Sequence, residues 1–147
     1  MHRWYIILVA FAVIVSASAR SEDNRDSTKV EGTFVISKVV ASFQSRLVEI
    51  RLYKHDPRMA DRSADLVEKV ELKNFSHTIG KETKKDFMIG TKGELDSKMG
   101  YYVTFFILDG DKRTHMGKCE HDKKGIGTVL TYGQPRKIAI EVNEIKR

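Results

Sequence analysis

The stretch GYYVTFFILDGDKRTHMGK, residues 100–118, decides the fold. Tyr101 to Leu108 carry no charge, Asp109-Gly110-Asp111-Lys112 supply turn chemistry, and a second strand leads away from the turn. That order reads as a β-hairpin. Side chains alternate across a strand, so Tyr101, Val103, Phe105 and Ile107 share one face and Tyr102, Thr104, Phe106 and Leu108 the other. Both faces are largely apolar. One belongs to a core, and the other is covered by a loop or partner, or is held in check by the charged turn that follows. Neighbouring aromatics on a central strand are more often packing than a binding platform.

Other segments repeat the two-residue period of a strand with one face in a core. In RLVEIRLY (46–53), Val48, Ile50 and Leu52 oppose Glu49 and Arg51; in RKIAIEVNEI (136–145), Ile138, Ile140 and Val142 oppose Lys137 and Glu141. VEGTFVISKVVASF (30–43) is rich in β-branched and aromatic residues and opens the fold with Phe34 and Ile36 facing in. DLVEKVELKNF (65–75) brings Val70 and Leu72 to one face, where Glu68 breaks the pattern and signals a bulge or a late strand start. KDFMIG (85–90) is a further short strand. The connection 54–65 has Asp56 and Pro57 placed to cap and begin a helical turn, whereas 76–85 is a polar loop. About seven short strands, no internal repeat and no sustained helical period predict an all-β, antiparallel β-sandwich of immunoglobulin-like or transthyretin-like form.

The chain begins MHRWYIILVAFAVIVSASARSED, with Arg3 before an apolar run from Trp4 to Val15 and then Ala17, Ser18, Ala19. This order predicts a signal peptide over residues 1–19, followed by a disordered polar lead-in over 20–29 and a single domain over 30–147. The apolar run is shorter than the ~20 residues a membrane-spanning helix needs. No transmembrane span is therefore expected after cleavage, and the protein is expected in the periplasm or outside the cell. Residues 1–19 hold one Arg and no acid, so cleavage lowers the net charge from +6 to +5. Acids and bases interleave in KETKKD (81–86) and EHDKKG (120–125). A nucleic-acid groove calls instead for bases without acids and for exposed aromatics, so no specific nucleic-acid partner is expected. The excess charge favours an acidic polymer or membrane surface.

Chemistry concentrates in THMGKCEHD (114–122), which holds the single cysteine and two of the five histidines. A lone cysteine closes no internal disulfide, leaving Cys119 as a buried thiol, a metal ligand or an intermolecular cross-link. On a strand His115, Cys119 and His121 share a face and Met116 lies opposite. Cys119 and His121 are near enough to chelate one ion, but His115 is roughly 13 Å from Cys119, and only a sharp bend at Gly117 gathers all three. Thiolate, imidazole and thioether are copper's preferred ligands, yet the blue-copper loop runs Cys, His, Met and here Met116 precedes Cys119. His55 and His77 are the remote candidates, with nothing nearby to select them. No Gly-x-Ser-x-Gly elbow or phosphate-binding glycine loop occurs, and the Cys119–His121 spacing does not suit a cysteine-protease pair. No cofactor and no enzymatic activity are expected.

VEGTF (30–34), LVEIRLY (47–53), DLVEKVEL (65–72), MGYYVTFFILDGDKRTH (99–115) and TYGQPRKIAIEV (131–142) together resemble the small β-sandwich lipoproteins of the YbaY and YscW type. That family includes the lipoprotein chaperones, or pilotins, of type III secretion systems, and the resemblance covers about residues 30–143. It implies a β-sandwich in the cell envelope with no catalytic residues. The lipobox cysteine typical of its members is absent, because the single cysteine is at position 119. The resulting expectation is an exported, non-catalytic binding or chaperone-like assembly module whose partner is an envelope protein or acidic polymer. The alternative is a copper-binding or other metal-binding protein built on Cys119 and His121, with His115 as a weaker third ligand.

Overall fold

The computed structural model describes residues 26–146. Its strands are β1 Val30–Ile36, β2 Phe43–His55, β3 Asp65–His77, β4 Thr83–Ile89, β5 Gly100–Asp109, β6 Lys112–Cys119, β7 Thr128–Val129 and β8 Lys137–Glu144. No helix among the described residues is long and apolar enough to cross a membrane. The signal peptide expected over 1–19 lies outside the described residues.

The hairpin forms where the sequence places it. β5 and β6 pair down to Asp109 and Lys112, leaving Gly110 and Asp111 as the turn, and Gly110 takes a φ of 58° that favours glycine. β2 pairs with the other edge of β5 in unbroken register from Leu47–Leu108 to His55–Gly100. The inner faces agree with the alternation: Val48, Ile50, Leu52, Phe105, Ile107 and Ile140 are all buried. The bulge signalled by Glu68 is real, because the β2–β3 register steps from Leu52–Glu68 to Tyr53–Leu66.

The sandwich expectation is corrected. The strands form one mixed sheet in the order β3-β2-β5-β6-β8-β1-β4, with β7 beside the start of β5, and this sheet curls into a nearly closed barrel. Phe34 of β1, near one end of the order, packs its ring 4.8 Å from Phe105 of β5 and 5.6 Å from Phe75 of β3 at the other end. Only a sheet rolled on itself brings those strands together. Alternation could not distinguish the two arrangements, since a curled sheet and two stacked sheets each present one apolar face. Nor does alternation carry strand direction, and β1 runs parallel to β8.

Two local expectations also change. Residues 26–29 of the lead-in are ordered: Thr28 is buried, its Oγ1 donates to Gly90 O at 2.7 Å, and its N–H donates to Gly93 O at 3.0 Å. The earlier part of the lead-in lies outside the described residues. Between β2 and β3 the chain makes successive turns rather than helix, with Met59 N–H donating to Asp56 O and Arg62 N–H to Met59 O. Asp56 does cap, accepting from Arg58 N–H at 3.0 Å, but its carboxylate also holds the Arg58 guanidinium. That pairing lowers its pKa to about 2.

Candidate functional site

The residues singled out as ligands occupy three environments. Cys119 is buried in the core, and burial pushes its thiol up to about 11. His121 is exposed beyond the end of β6, its Nε2 2.8 Å from Thr128 O. His115 shares the inner face with Cys119, as the alternation predicts, and Met116 lies opposite at 46% exposure. No bend gathers them, because β6 keeps continuous register with β8 from His115–Glu144 through Gly117–Val142 to Cys119–Ile140. Gly117 serves a different purpose: a Cβ there would collide with Phe105 and Ile140. Among the described residues no group of three His, Cys, Asp or Glu side chains is arranged to hold a metal ion.

His115 belongs instead to a packed cluster at the end of the barrel holding the β5–β6 turn. Phe43 lies between two buried imidazoles, its ring centroid 5.1 Å from His115 and 5.7 Å from His77. The Arg46 guanidinium sits 5.1 Å from the centre of the Phe43 ring and donates to Thr114 Oγ1 at 3.0 Å. Thr114 Oγ1 in turn donates to Ile107 O, so its 2.9 Å contact with His115 is the imidazole Nδ1–H donating to the hydroxyl. Burial first, then the Arg46 cation, holds the His115 pKa below its ordinary value. His55 packs near Tyr102, with 5.9 Å between ring centroids.

The outer face of β5, whose cover the sequence left open, is clothed by neighbouring side chains. Tyr102 stacks on Tyr53 at 5.2 Å, and the Arg113 guanidinium lies 4.0 Å over Phe106. Arg51 donates to Tyr53 OH at 3.0 Å and meets Glu49 Oε1 at 2.7 Å. That ladder leaves the tyrosines and Phe106 partly exposed.

The opening in the fold lies between β3 and β4. These consecutive strands are joined by residues 78–82 and form the two ends of the sheet order, yet they do not pair. Consecutive antiparallel strands ordinarily pair, so this is a splayed hairpin. It is stapled at both ends. At one end His77 Nδ1 lies 2.8 Å from Thr83 Oγ1. At the other, Glu68 Oε2 accepts from Gly90 N–H at 2.6 Å and Thr91 N–H at 3.1 Å. Between the staples both strands have an unpaired edge, and the half-buried Val70, Leu72 and Phe75 of β3 pack against the core beside Phe87 of β4. The Lys85 ammonium reaches across to 6.0 Å from the Phe75 ring. The gap thus has an apolar inner side and, between the staples, two strand edges with no backbone partner in the sheet. Sequence reading missed it, although Glu68 was its signal: an inward carboxylate among Val70 and Leu72 needs donors, and finds them across the gap.

No protein-family profile matches the chain, and no curated protein sequence does. Among solved structures, the chain is similar to an alternative pilotin from the type II secretion system of Vibrio cholerae. The likeness has a TM-score of 0.54 at 13% identity and covers 81% of this chain and 97% of that one. At that identity what the two share is the fold.

Proposed function

We propose that this protein is a non-catalytic, chaperone-like assembly module of the cell envelope that holds a segment of a partner protein in the cleft between β3 and β4. The observation that carries the reading is the splayed hairpin: two neighbouring strands tied by Glu68 and His77 at their ends but unpaired between. An extended segment entering there gains main-chain hydrogen bonds from both edges and buries alternate side chains against Val70, Leu72 and Phe75. The signal-peptide pattern supports an extracytoplasmic setting, and the fold shared with a secretion-system pilotin supports an assembly task.

Photo-crosslinking side chains at Leu72 and Met88, bracketing the cleft, test this in native envelopes against a control at Lys118 on the far side. One discrete protein adduct from both cleft positions, absent from Lys118 and lost with Val70→Arg, is the expected result. Equal labelling from all three positions, or none from the cleft, refutes strand capture.

A further inference from the structure

Resting on the strand-capture reading, we infer that the segment held between β3 and β4 is acidic on its outward face, with apolar residues alternating inward. Charged side chains of both signs line the two edges of the cleft. Three of its acids are already engaged: Glu68 by the Gly90 and Thr91 amides, Glu71 by Lys69 at 2.6 Å with Lys73 a weaker neighbour, and Asp86 by Thr33 Oγ1 at 2.6 Å; Glu82 is exposed in the connecting loop. Lys73 of β3 and Lys84 of β4 face outward on either side of the gap, and Lys85 stands over its mouth. None of these three lysines has an ion-pair partner among the described residues.

An inserted strand would present every second side chain outward between Lys73 and Lys84, and carboxylates there complete both rims. The same lysines disfavour a second copy of this chain. Pairing two such edges sets like charges opposite one another, and the left-handed Asn74 (φ 55°) adds a bulge beside Lys73. A foreign acidic strand meets the same bulge but not the like-charge repulsion, and its inward valines or isoleucines match the apolar floor.

The test uses the full chain and two synthetic ten-residue peptides in which valine alternates with glutamate or with lysine. Binding is read by fluorescence anisotropy at low and high salt, and location by backbone amide exchange. The glutamate peptide is expected to bind on the order of tenfold more tightly than the lysine peptide, from a few partly exposed ion pairs acting together. Added salt narrows that gap. It is also expected to slow exchange over residues 69–75 and 84–88 and leave β5 and β6 unchanged. Lys73→Glu combined with Lys84→Glu, both at exposed positions, inverts the preference. Equal affinities, or a wild-type preference for lysine, overturn the acidic partner while edge protection by either peptide keeps strand capture standing. Failure of both peptides to protect the edges overturns the two together.

Discussion

Replacing Glu68 by alanine removes the staple that ties the far end of β3 to the β4–β5 connection. Its carboxylate receives two N–H donors, and they differ in what they lose. Gly90 is buried, so its 2.6 Å bond leaves an unsatisfied donor costing about 1–3 kcal/mol. Thr91 is exposed and rehydrates, so its 3.1 Å bond contributes only about 0.5 kcal/mol. The total is about 1.5–3.5 kcal/mol, and a folded unit of about 120 residues loses about 4 °C of Tm per kcal/mol, giving a fall of about 6–14 °C. Glu68→Gln keeps an acceptor and loses only the charge assistance, for about 1 kcal/mol. Urea unfolding with unchanged m-value measures the totals, and amide exchange localises them. Gly90 and the neighbouring β4 amides should lose protection before those of β5. If Glu68→Ala stays within about 0.5 kcal/mol of wild type while the Gly90 amide remains protected, the staple is not what orders this end of the cleft.

His115 has its folded pKa lowered, so the unfolded chain binds the proton more readily. The associated stability is complete above the unfolded value of about 6.5 and is lost as pH falls from there through the folded pKa. Urea midpoints between pH 8 and 5 should therefore fall less in His115→Gln than in wild type; Arg46 and His77 oppose the proton and Glu144 favours it. Cys119 should resist thiol reagents at pH 8 in the native state and react only on unfolding, and rapid native labelling would contradict its burial. Native mass spectrometry should find equal copper retention in wild type and Cys119→Ala, because the thiol is inside and His121 outside; a difference of one ion would rejoin them. Gly32→Ala should cost about 1–3 kcal/mol by overpacking, since the Phe87 ring occupies the place of the new Cβ, and no change in the urea midpoint would place that ring elsewhere.

Strand positions were legible because each has one apolar face, and the period of two survives any tertiary arrangement. Phe34, Val48, Ile50, Phe105, Ile138 and Val142 all point inward as their alternation requires. Closure was not legible: the contact between Phe34 and Phe75 joins residues 41 positions apart, and neither local sequence contains a sign of the other. The cysteine–histidine stretch divides between two environments for a related reason. Proximity in sequence put Cys119 and His121 together, but the end of β6 falls between them, leaving one in the core and the other in the solvent-facing turn. Glu68 was the opposite case. Its departure from the apolar pattern was visible, and only the fold supplied the Gly90 and Thr91 amides that explain it.

Strand directions bear on whether the cleft can accept another strand. β5 runs antiparallel to both β2 and β6, and β2 runs antiparallel to β3, so β3 and β5 share one direction. β8 opposes β6 and therefore runs with β3, β1 runs parallel to β8, and β4 opposes β1. The two edges facing the gap are thus antiparallel to each other, and any strand entering it must lie parallel to one and antiparallel to the other. β1 already occupies such a setting, parallel to β8 on one side and antiparallel to β4 on the other. Its inward Phe34 packs against Phe105 and Phe75, while its outward Thr33 bonds Asp86 on the neighbouring strand. A captured segment would repeat that arrangement two positions further round, with apolar residues on the floor and polar contacts along the outer rim. The hydrogen-bond geometry the cleft demands is therefore one this sheet already sustains.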